Sequence, residues 1–217
     1  MKKKSILLIG LGHFGVHIAE KLRDLGHEVT AVDRDEKRVN DVMPIVTNGL
    51  IGDSTDPAFL KTLGVSHYDL AVVAIGGDFQ SSLETTCLLK EMGAKTVVSR
   101  AERDGQAKFL LRNGADEIVY PEQQLAGWLA IRYTSDHLLD YIELDPSCSI
   151  FEVTVPQNWL GKSIGELDVR KKYAVNIVAI REDGKVNLSF TPYTVLNERQ
   201  TLYVIGEYKA LKKCFKI

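Results

Sequence analysis

The sequence predicts a Rossmann-type α/β fold, a doubly wound parallel sheet followed by a second, smaller α+β domain. Three observations lead to this prediction. Short β-branched runs alternate with amphipathic stretches up to about Tyr120. A glycine-rich turn directly follows the first of these runs, and hairpin-type turns replace the alternation after Asp140. The chain of 217 residues is long enough for both domains to bury a core.

Six strands are predicted in the first domain, the number that one complete doubly wound sheet contains. They cover residues 6–9, 29–33, 50–52, 70–75, 96–99 and 117–119. The helices between them have recognisable ends. Asp35 caps a helix that runs through Val42, and Asp56 with Pro57 begins another. Glycines end four helices, at Gly26, Gly64, Gly93 and Gly114.

A long helix over residues 121 to about 138 is predicted to lead out of the sheet. Pro121 stands in its first turn, and apolar residues recur at helical spacing as far as Leu138. The predicted domains are therefore 1–138, which includes this crossover helix, and 139–217. In the second domain, strands are predicted over residues 150–155, 174–180, 186–190 and 201–205, with a hairpin turn at Asp183-Gly184.

Composition excludes several classes of protein. Apolar residues make up 45%, charged residues 26%, and the net charge is -2, so there is no electrostatic case for nucleic-acid binding. The longest apolar run, residues 70–75, is far shorter than the roughly 20 residues of a membrane span. The lysine-led N-terminus lacks a cleavage site for a signal peptide, so a cytoplasmic location is expected. Widely spaced cysteines predict reduced, mostly buried thiols: Cys87, Cys148 and Cys214.

The sharpest motif is Gly10-Leu11-Gly12-His13-Phe14-Gly15, which fits GxGxxG between a strand and a helix. Gly10 makes the tight turn, Gly12 lets a phosphate approach the backbone, and Gly15 lets the helix pack on the strand. The helix N-terminus then presents free N–H groups to an anion. Asp33 ends the second strand, where a carboxylate accepts hydrogen bonds from the ribose of an adenosine. The sequence therefore predicts a nucleotide site.

Further residues should join this site, because ligands of open parallel sheets lie beyond the carboxyl ends of the strands. Residues that follow the later strands are Asp53, Gly76, Gly77, Asp78 and Arg100. For Arg100 two interpretations stay open, contact with a phosphate or an ion pair with Glu102 or Glu122. Arg34 beside Asp33 could accommodate a ribose 2′-phosphate, but Asp33 would repel that group, so NADP is disfavoured and Arg34 could instead cover the adenine.

These motifs resemble the regulator-of-potassium-conductance family, the cytosolic Ktr/Trk-type subunits of bacterial potassium uptake systems. The resemblance covers nearly the whole chain. In the first domain it rests on the glycine motif and on Gly52-Asp53-Ser54-Thr55, Val73-Ala74-Ile75-Gly76 and Tyr120-Pro121-Glu122. In the second it rests on Leu160-Gly161-Lys162-Ser163-Ile164, which opens a small domain similar to this family's ligand-binding module.

The resemblance implies dimers assembled into a tetrameric or octameric ring, which docks on a membrane potassium-translocating subunit at the inner face of the cell membrane. It implies that ATP, ADP, NAD or NADH binds the first domain and changes the shape of the ring. Together with the motifs it predicts the nucleotide-binding residues Gly10, Gly12, His13, Phe14, Gly15, Asp33, Arg34, Asp53, Ser54, Ile75, Gly76, Gly77 and Arg100.

Two further sites are implied only by the resemblance. Glu122 matches a position associated with a divalent cation near the nucleotide. Residues that match a cyclic di-AMP site of the second domain are Ile164, Val169, Arg170, Ile177 and Pro192, although an ordinary core with one exposed arginine would place the same residues there. His13 departs from the pattern, since Ktr-type members that prefer ATP often carry arginine there, and NAD(H) becomes more plausible.

An NAD-dependent oxidoreductase or an NAD(H)-sensing protein is the alternative, since the first domain alone would suit either. No catalytic residue is predicted, because none of the histidines has an orienting partner in the sequence pattern. A redox-sensing repressor would need a basic DNA-reading helix, which the sequence lacks. A regulatory protein that is not an enzyme is therefore expected.

Overall fold

The computed structural model describes residues 2–135, 137–145 and 147–215. The chain folds as two compact units that divide after Gln124. The domain limits predicted from the sequence, 1–138 and 139–217, stay a prediction about which segments fold independently. Among the described residues, no helix is long and apolar enough to cross a membrane.

The first unit contains a parallel six-stranded sheet, which confirms the predicted fold class. Its strands are β1 (Ser5–Ile9), β2 (Glu28–Asp33), β3 (Asn48–Ile51), β4 (Leu70–Val73), β5 (Val97–Arg100) and β6 (Glu117–Val119). Their order is β3-β2-β1-β4-β5-β6. The direction of winding therefore reverses between β1 and β4, where the two halves of such a sheet leave a crevice for a ligand.

Helices connect these strands, and the capping aspartates and terminal glycines predicted for α1 to α5 are confirmed. They are α1 (His13–Asp24), α2 (Glu36–Val42), α3 (Pro57–Thr62), α4 (Phe79–Glu91) and α5 (Asp104–Arg112), followed by α6 (Pro121–Tyr133). Asp35 and Asp56 accept backbone N–H groups at the starts of α2 and α3. All four glycines predicted to end helices have positive φ. Because glycine has no Cβ, it reverses the chain there without strain.

Two apolar layers hold the strands of the first unit. Leu8 and Val29 pack on one face of the sheet with residues of α1 and α2, and Leu7 and Val73 pack on the other. Strands that bury both faces read as continuous apolar runs, as β1 and β4 do. The rigid sheet therefore fixes the positions at which β1, β2, β4 and β5 end.

The second unit is built on an antiparallel five-stranded sheet in the order β10-β9-β11-β8-β7. Its strands are β7 (Leu138–Glu143), β8 (Cys148–Thr154), β9 (Asn176–Glu182), β10 (Lys185–Asn187) and β11 (Gln200–Glu207). Short helices α7 (Ile164–Leu167) and α8 (Val169–Tyr173) and the terminal α9 (Tyr208–Phe215) accompany it. Asp183 and Gly184 both have positive φ and join β9 to β10, which confirms the predicted hairpin.

The predicted helix over residues 121 to about 138 is wrong only in its last five residues. It ends at Tyr133, and Leu138 begins β7, a strand that the sequence analysis missed. Thr134 follows the last helical residue, and its hydroxyl donates to the Ala130 carbonyl oxygen at 2.7 Å. β9 starts later than predicted, since Ala174 ends α8 with φ 57, which a strand residue does not adopt. The cysteines are also less buried than predicted, because all three are partly exposed.

Candidate functional site

The glycine loop between β1 and α1 has the geometry that its motif predicts. Gly10 has φ 94, and a Cβ there would lie 3.0 Å from the backbone nitrogen of Ile75. A Cβ on Gly15 would lie 2.0 Å from the carbonyl oxygen of Gly10, so only glycine allows α1 to start so close to the loop. By contrast, a Cβ on Gly12 would meet no atom within 4 Å, so the loop is open at this residue.

The N-terminus of α1 lacks the side-chain cap that neighbouring helices have. Gly12 is its N-cap and no acidic residue stands in its first turn. Within the part of the chain that the structure describes, no side chain bonds its free N–H groups. In α2, α3 and α4 the same groups bond to an aspartate: Asp35, Asp56 and Asp78. Uncapped N–H groups and the helix dipole attract an anion. The start of α1 is therefore left open for a ligand phosphate.

Asp33 lies where β2 ends and holds the glycine loop. Its side chain is 7% exposed. Oδ2 accepts the backbone N–H of Leu11 at 2.7 Å, and Oδ1 accepts the backbone N–H of Asp35 at 2.9 Å. A carboxylate has about four acceptor positions, so about two remain for ribose hydroxyls. Arg38 Nη1 lies 3.7 Å from Oδ2 and belongs to the same edge of the site.

A cavity of about 480 Å³ lies at the carboxyl ends of the strands, within the size range of small-ligand sites. All the predicted nucleotide residues except Gly15 line it: Gly10, Gly12, His13, Phe14, Asp33, Arg34, Asp53, Ser54, Ile75, Gly76, Gly77 and Arg100. Gly15 lies beneath the loop instead. The arrangement brings the predicted residues together, and their roles in binding stay predictions.

Three polar side chains that were not predicted to belong to the site also line this cavity: Arg38, Ser81 and Glu102. Arg38 lies three residues after Asp35, the cap of α2. Residues three apart on a helix lie on the same face, so the Arg38 side chain lies near this cap. That spacing could have identified it. Ser81 lies in the first turn of α4, where it donates its hydroxyl to Asp78 at 2.7 Å. Nothing in the sequence distinguished Glu102 as a lining residue, beyond its place as a partner for Arg100.

Arg100 forms the ion pair that the sequence analysis left open. Nη2 bonds to Glu122 Oε1 and lies 3.8 Å from Glu102 Oε1. The guanidinium also lies over the Phe14 ring, with 5.7 Å between Cζ and the ring centroid. Gly76 makes room for it, since a Cβ there would lie 2.4 Å from Nη1. The contact between Arg100 and a phosphate stays a prediction.

Two lining aspartates have pKa values below their ordinary range. Hydrogen bonds from the backbone N–H and then the hydroxyl of Thr55 lower the pKa of Asp53. For Asp78, the hydroxyl of Ser81 and then its backbone N–H lower the pKa. Both carboxylates are therefore charged at neutral pH and add negative charge to the cavity lining.

Glu122, the residue predicted to lie near a divalent cation, forms an ion pair with Arg100. Within the described parts of the chain, no group of three or more histidine, cysteine, aspartate or glutamate side chains could hold a metal ion. Glu122 bonds to Arg100 instead, and its side chain is 64% exposed. The cation at Glu122 therefore stays a prediction from the family resemblance.

A second cavity, of about 230 Å³, lies in the second unit. All the residues predicted for cyclic di-AMP line it: Ile164, Val169, Arg170, Ile177 and Pro192. Gly165, Asn176 and Phe190 line it as well. Backbone hydrogen bonds join its walls, because Gly165 donates to the carbonyl oxygen of Pro192 at 2.8 Å and Ile164 donates to that of Thr194 at 3.0 Å. Its ligand stays a prediction.

Comparison with known proteins identifies relatives along nearly the whole chain. The family model described as the TrkA-N domain matches residues 6–121, and the TrkA-C domain model matches residues 149–217. Ktr system potassium uptake protein C of Bacillus subtilis (strain 168) is 41% identical over 94% of this chain and 92% of its own length. Ktr system potassium uptake protein A of the same organism is 35% identical over 98% of this chain and 96% of its own length.

Solved structures share the fold at low sequence identity. The GsuK channel superposes with a TM-score of 0.72 at 20% identity, covering 99% of this chain and 40% of that one. The GsuK RCK domain gives a TM-score of 0.67 at 18% identity, covering 99% of this chain and 47% of that one. The chain therefore spans less than half the length of these GsuK chains.

Proposed function

This chain belongs to the family of potassium uptake proteins with TrkA-N and TrkA-C domains, and on that premise we propose that it is the nucleotide-binding regulatory subunit of a bacterial potassium uptake system. The membrane partner is a potassium-translocating subunit, and the chain acts on it from the cytoplasmic side. No catalytic step is assigned to the chain. Its relatives in Bacillus subtilis are named potassium uptake proteins, which supports a role of this chain in potassium uptake.

The observation that carries the proposal is the open cavity over the uncapped start of α1. Free N–H groups of α1 would hold a pyrophosphate, and the remaining acceptor positions of Asp33 would hold a ribose. These groups fit an adenine nucleotide, either ATP or ADP or the dinucleotides NAD and NADH. Solved GsuK structures with this fold are described as bound to NAD and to ADP, which supports the same ligand class here.

The regulatory step is a shift between two shapes of a ring. In this proposal, dimers of the chain assemble into a tetrameric or octameric ring, and the nucleotide binds one ring shape more tightly than the other. A ligand with equal affinity for both shapes would shift nothing. The membrane subunit responds to the change through its contacts with the ring.

A second effector site in the smaller unit belongs to the same proposal. Arg170 would pair with a phosphate of cyclic di-AMP, while Ile164, Ile177 and Pro192 would contact a base. A divalent cation at Glu122 would bind beside Arg100, which contacts one oxygen of this carboxylate. Both follow from the family resemblance and from the residues that line the two cavities.

Thermal denaturation of the full chain against ATP, ADP, AMP, NAD, NADH and cyclic di-AMP tests the ligand assignment. A ligand that binds only the folded chain raises the melting temperature with the logarithm of its concentration above Kd. Absence of a shift with every nucleotide would contradict the proposal. Turnover of NAD or NADH with common metabolites, followed by absorbance, would instead favour the oxidoreductase.

A further inference from the structure

A hydrogen bond between two buried hydroxyl groups joins two walls of the nucleotide cavity. The β3 wall follows strand β3 and consists of Gly52, Asp53 and Ser54. The α4 wall leads into helix α4 and consists of Gly77, Asp78 and Ser81. Ser54 Oγ lies 2.8 Å from Thr85 Oγ1, and Thr85 follows Ser81 by one turn on the same face of α4. The bond therefore links the β3 wall to the helix that carries the α4 wall.

Both hydroxyl groups of this pair are shielded from water. Ser54 is 7% exposed and Thr85 is 0% exposed. Within the described parts of the chain, neither hydroxyl has a second hydrogen-bond partner. A hydrogen bond in such a place is stronger than one in water, and removal of one partner leaves the other unpaired. The bond therefore fixes the distance between the β3 wall and α4.

Charge acts to separate the same two walls. Hydrogen bonds from Thr55 lower the pKa of Asp53, while the negative charge of Asp78 acts in the opposite direction, so the two carboxylates are close enough to repel. Arg34 attracts both, but one positive charge does not neutralise two negative ones. Interactions between charges near the surface are weak, so one buried hydrogen bond is strong enough to oppose this repulsion.

Stability of the core does not account for the hydroxyl groups at this position. The buried face of α4 carries Ser82, Thr85 and Thr86 beside Leu89, whereas helix faces that pack on a core are usually apolar. Replacement of both partners of a buried hydrogen bond by apolar groups of the same shape is nearly neutral for stability. The role of the bond between Ser54 and Thr85 therefore lies with the cavity.

We propose that Thr85 is a positioning residue for the nucleotide: its hydrogen bond to Ser54 keeps the β3 wall and the α4 wall at the separation at which one nucleotide contacts both. The inference rests on the proposed nucleotide function. Thr85 is not among the residues described as lining the cavity, so it acts through Ser54. A cavity that already has its bound shape spares the ligand the free energy of drawing the walls together.

Calorimetric titration of the full chain with ADP and with NAD tests this inference, and the variants are compared with the nucleotide that wild type binds more tightly. Thr85→Val keeps the shape of the side chain but removes the hydroxyl, so affinity should fall about fivefold. Thr85→Ser keeps the hydroxyl and should bind nucleotide as wild type does. Its melting temperature should nevertheless be lower than that of wild type, because the lost methyl group leaves a small void.

Thr86→Val is the matched control for the loss of a buried hydroxyl from the same face of α4. The Thr86 hydroxyl lies 2.8 Å from Ser99 Oγ and donates to the carbonyl oxygen of Ser82 at 2.7 Å. None of these three residues is described as lining the cavity. Thr86→Val should therefore change the melting temperature but leave nucleotide affinity at the wild-type value.

The Ser54→Ala background distinguishes the bond from other effects of Thr85. If Thr85 acts through Ser54, Thr85→Val should cause no further loss of affinity in Ser54→Ala. A further fivefold loss there, an equal loss in Thr86→Val, or wild-type affinity in Thr85→Val would overturn the inference and leave the nucleotide site in place. If wild type binds neither ADP nor NAD, the proposed nucleotide function fails together with this inference.

Discussion

The carboxylate of Asp33 is hydrogen-bonded to the backbone N–H of Leu11 at 2.7 Å, across the gap between β2 and the glycine loop. Its other oxygen bonds to the backbone of Asp35. Asp33 therefore shapes the loop that would hold the phosphate as well as offering acceptors to a ribose. Because the side chain is almost fully buried, its charge acts at close range on both.

Replacement of Asp33 by alanine should weaken adenine nucleotide binding at least tenfold. A hydrogen bond to a charged group contributes about 1.5 to 3 kcal/mol, and the variant also releases the Leu11 amide. Calorimetry measures the loss directly. The control is Asp35→Ala, which removes an equal charge from the cap of α2 but not from the cavity lining. Equal nucleotide affinity in wild type and Asp33→Ala would remove Asp33 from the binding site.

Sequence predicted the part of the site that depends on neighbours along the chain. The glycine motif and Asp33 have fixed places relative to a strand end, so their positions follow from local pattern. The pairing of Arg100 with Glu122 joins residues 22 positions apart. Sequence could name both partners, but the choice between a phosphate and a carboxylate depends on side-chain placement in three dimensions.

Strand β7 was not predicted from the sequence, for a different reason. Leu138 and Leu139 continue the apolar pattern of α6, and periodicity alone does not distinguish the end of a helix from the start of a strand. In the structure, β7 pairs with β8, so the interaction that forms it lies with another segment. β1 and β4 were predictable because both are buried on two faces and read as apolar runs.

Alanine substitutions at two glycines of the motif should affect different properties, one the stability of the fold and the other nucleotide binding. Gly15→Ala places a Cβ against the Gly10 carbonyl oxygen, so the free energy of unfolding should fall by at least about 2 kcal/mol. Gly12→Ala meets no protein atom and has φ -68, so stability should change little. Its methyl group would nevertheless occupy the proposed path of the phosphate, and nucleotide affinity should fall. Urea unfolding and calorimetry of both variants measure the two effects.

The Gly12→Ala result distinguishes two roles for the loop. If this variant binds nucleotide as wild type does, no phosphate approaches the backbone at Gly12. If Gly15→Ala is as stable as wild type, the close approach of α1 to the loop is not a requirement of the fold.

His13→Arg should raise affinity for ATP relative to ADP. His13 begins α1 and lines the cavity, so an arginine there would bring a permanent charge to the phosphate end. Paired titrations with the two nucleotides give the ratio. His17→Arg is the control, because that residue lies on the exposed side of α1 and does not line the cavity. An unchanged ratio in His13→Arg would show that this position does not contact a terminal phosphate.

Asp116 should make stability depend on pH in the acid range. Its carboxylate bonds to Lys90 Nζ at 2.7 Å and to the Val97 backbone N–H, and these bonds lower its pKa. Since the folded-state pKa is below the unfolded value, the stabilisation is complete above the unfolded pKa of about 4 and is lost as pH falls through the folded-state pKa. Asp116→Asn should cost about 1 kcal/mol at pH 7, a small value because the pair is partly exposed.

Urea unfolding of wild type and Asp116→Asn at several pH values between neutral and about 2.5 tests whether the stabilisation by Asp116 is lost in acid. The difference in unfolding free energy should shrink as the solution becomes more acidic. A difference that stays constant across this range would mean that the charge of Asp116 contributes nothing to stability.

The ring proposal requires that the isolated chain form an assembly whose shape depends on its ligand. Coupling between two linked sites is typically about 1 to 3 kcal/mol, so several identical nucleotide sites in one ring would act together on the membrane subunit. Light scattering should therefore give a mass several times that of one chain. Small-angle scattering should change when the preferred nucleotide is exchanged for another.

The Asp33→Ala variant is the control for the nucleotide-dependent change of ring shape, because it should assemble like wild type but respond less to nucleotide. At a nucleotide concentration that half-saturates wild type, its scattering curve should change far less than that of wild type, because the variant is then mostly unoccupied. A wild-type monomer, or a ring whose scattering is identical with every nucleotide that binds, would contradict regulation by a change of ring shape. Nucleotide binding would then stabilise each chain without changing what the membrane subunit contacts.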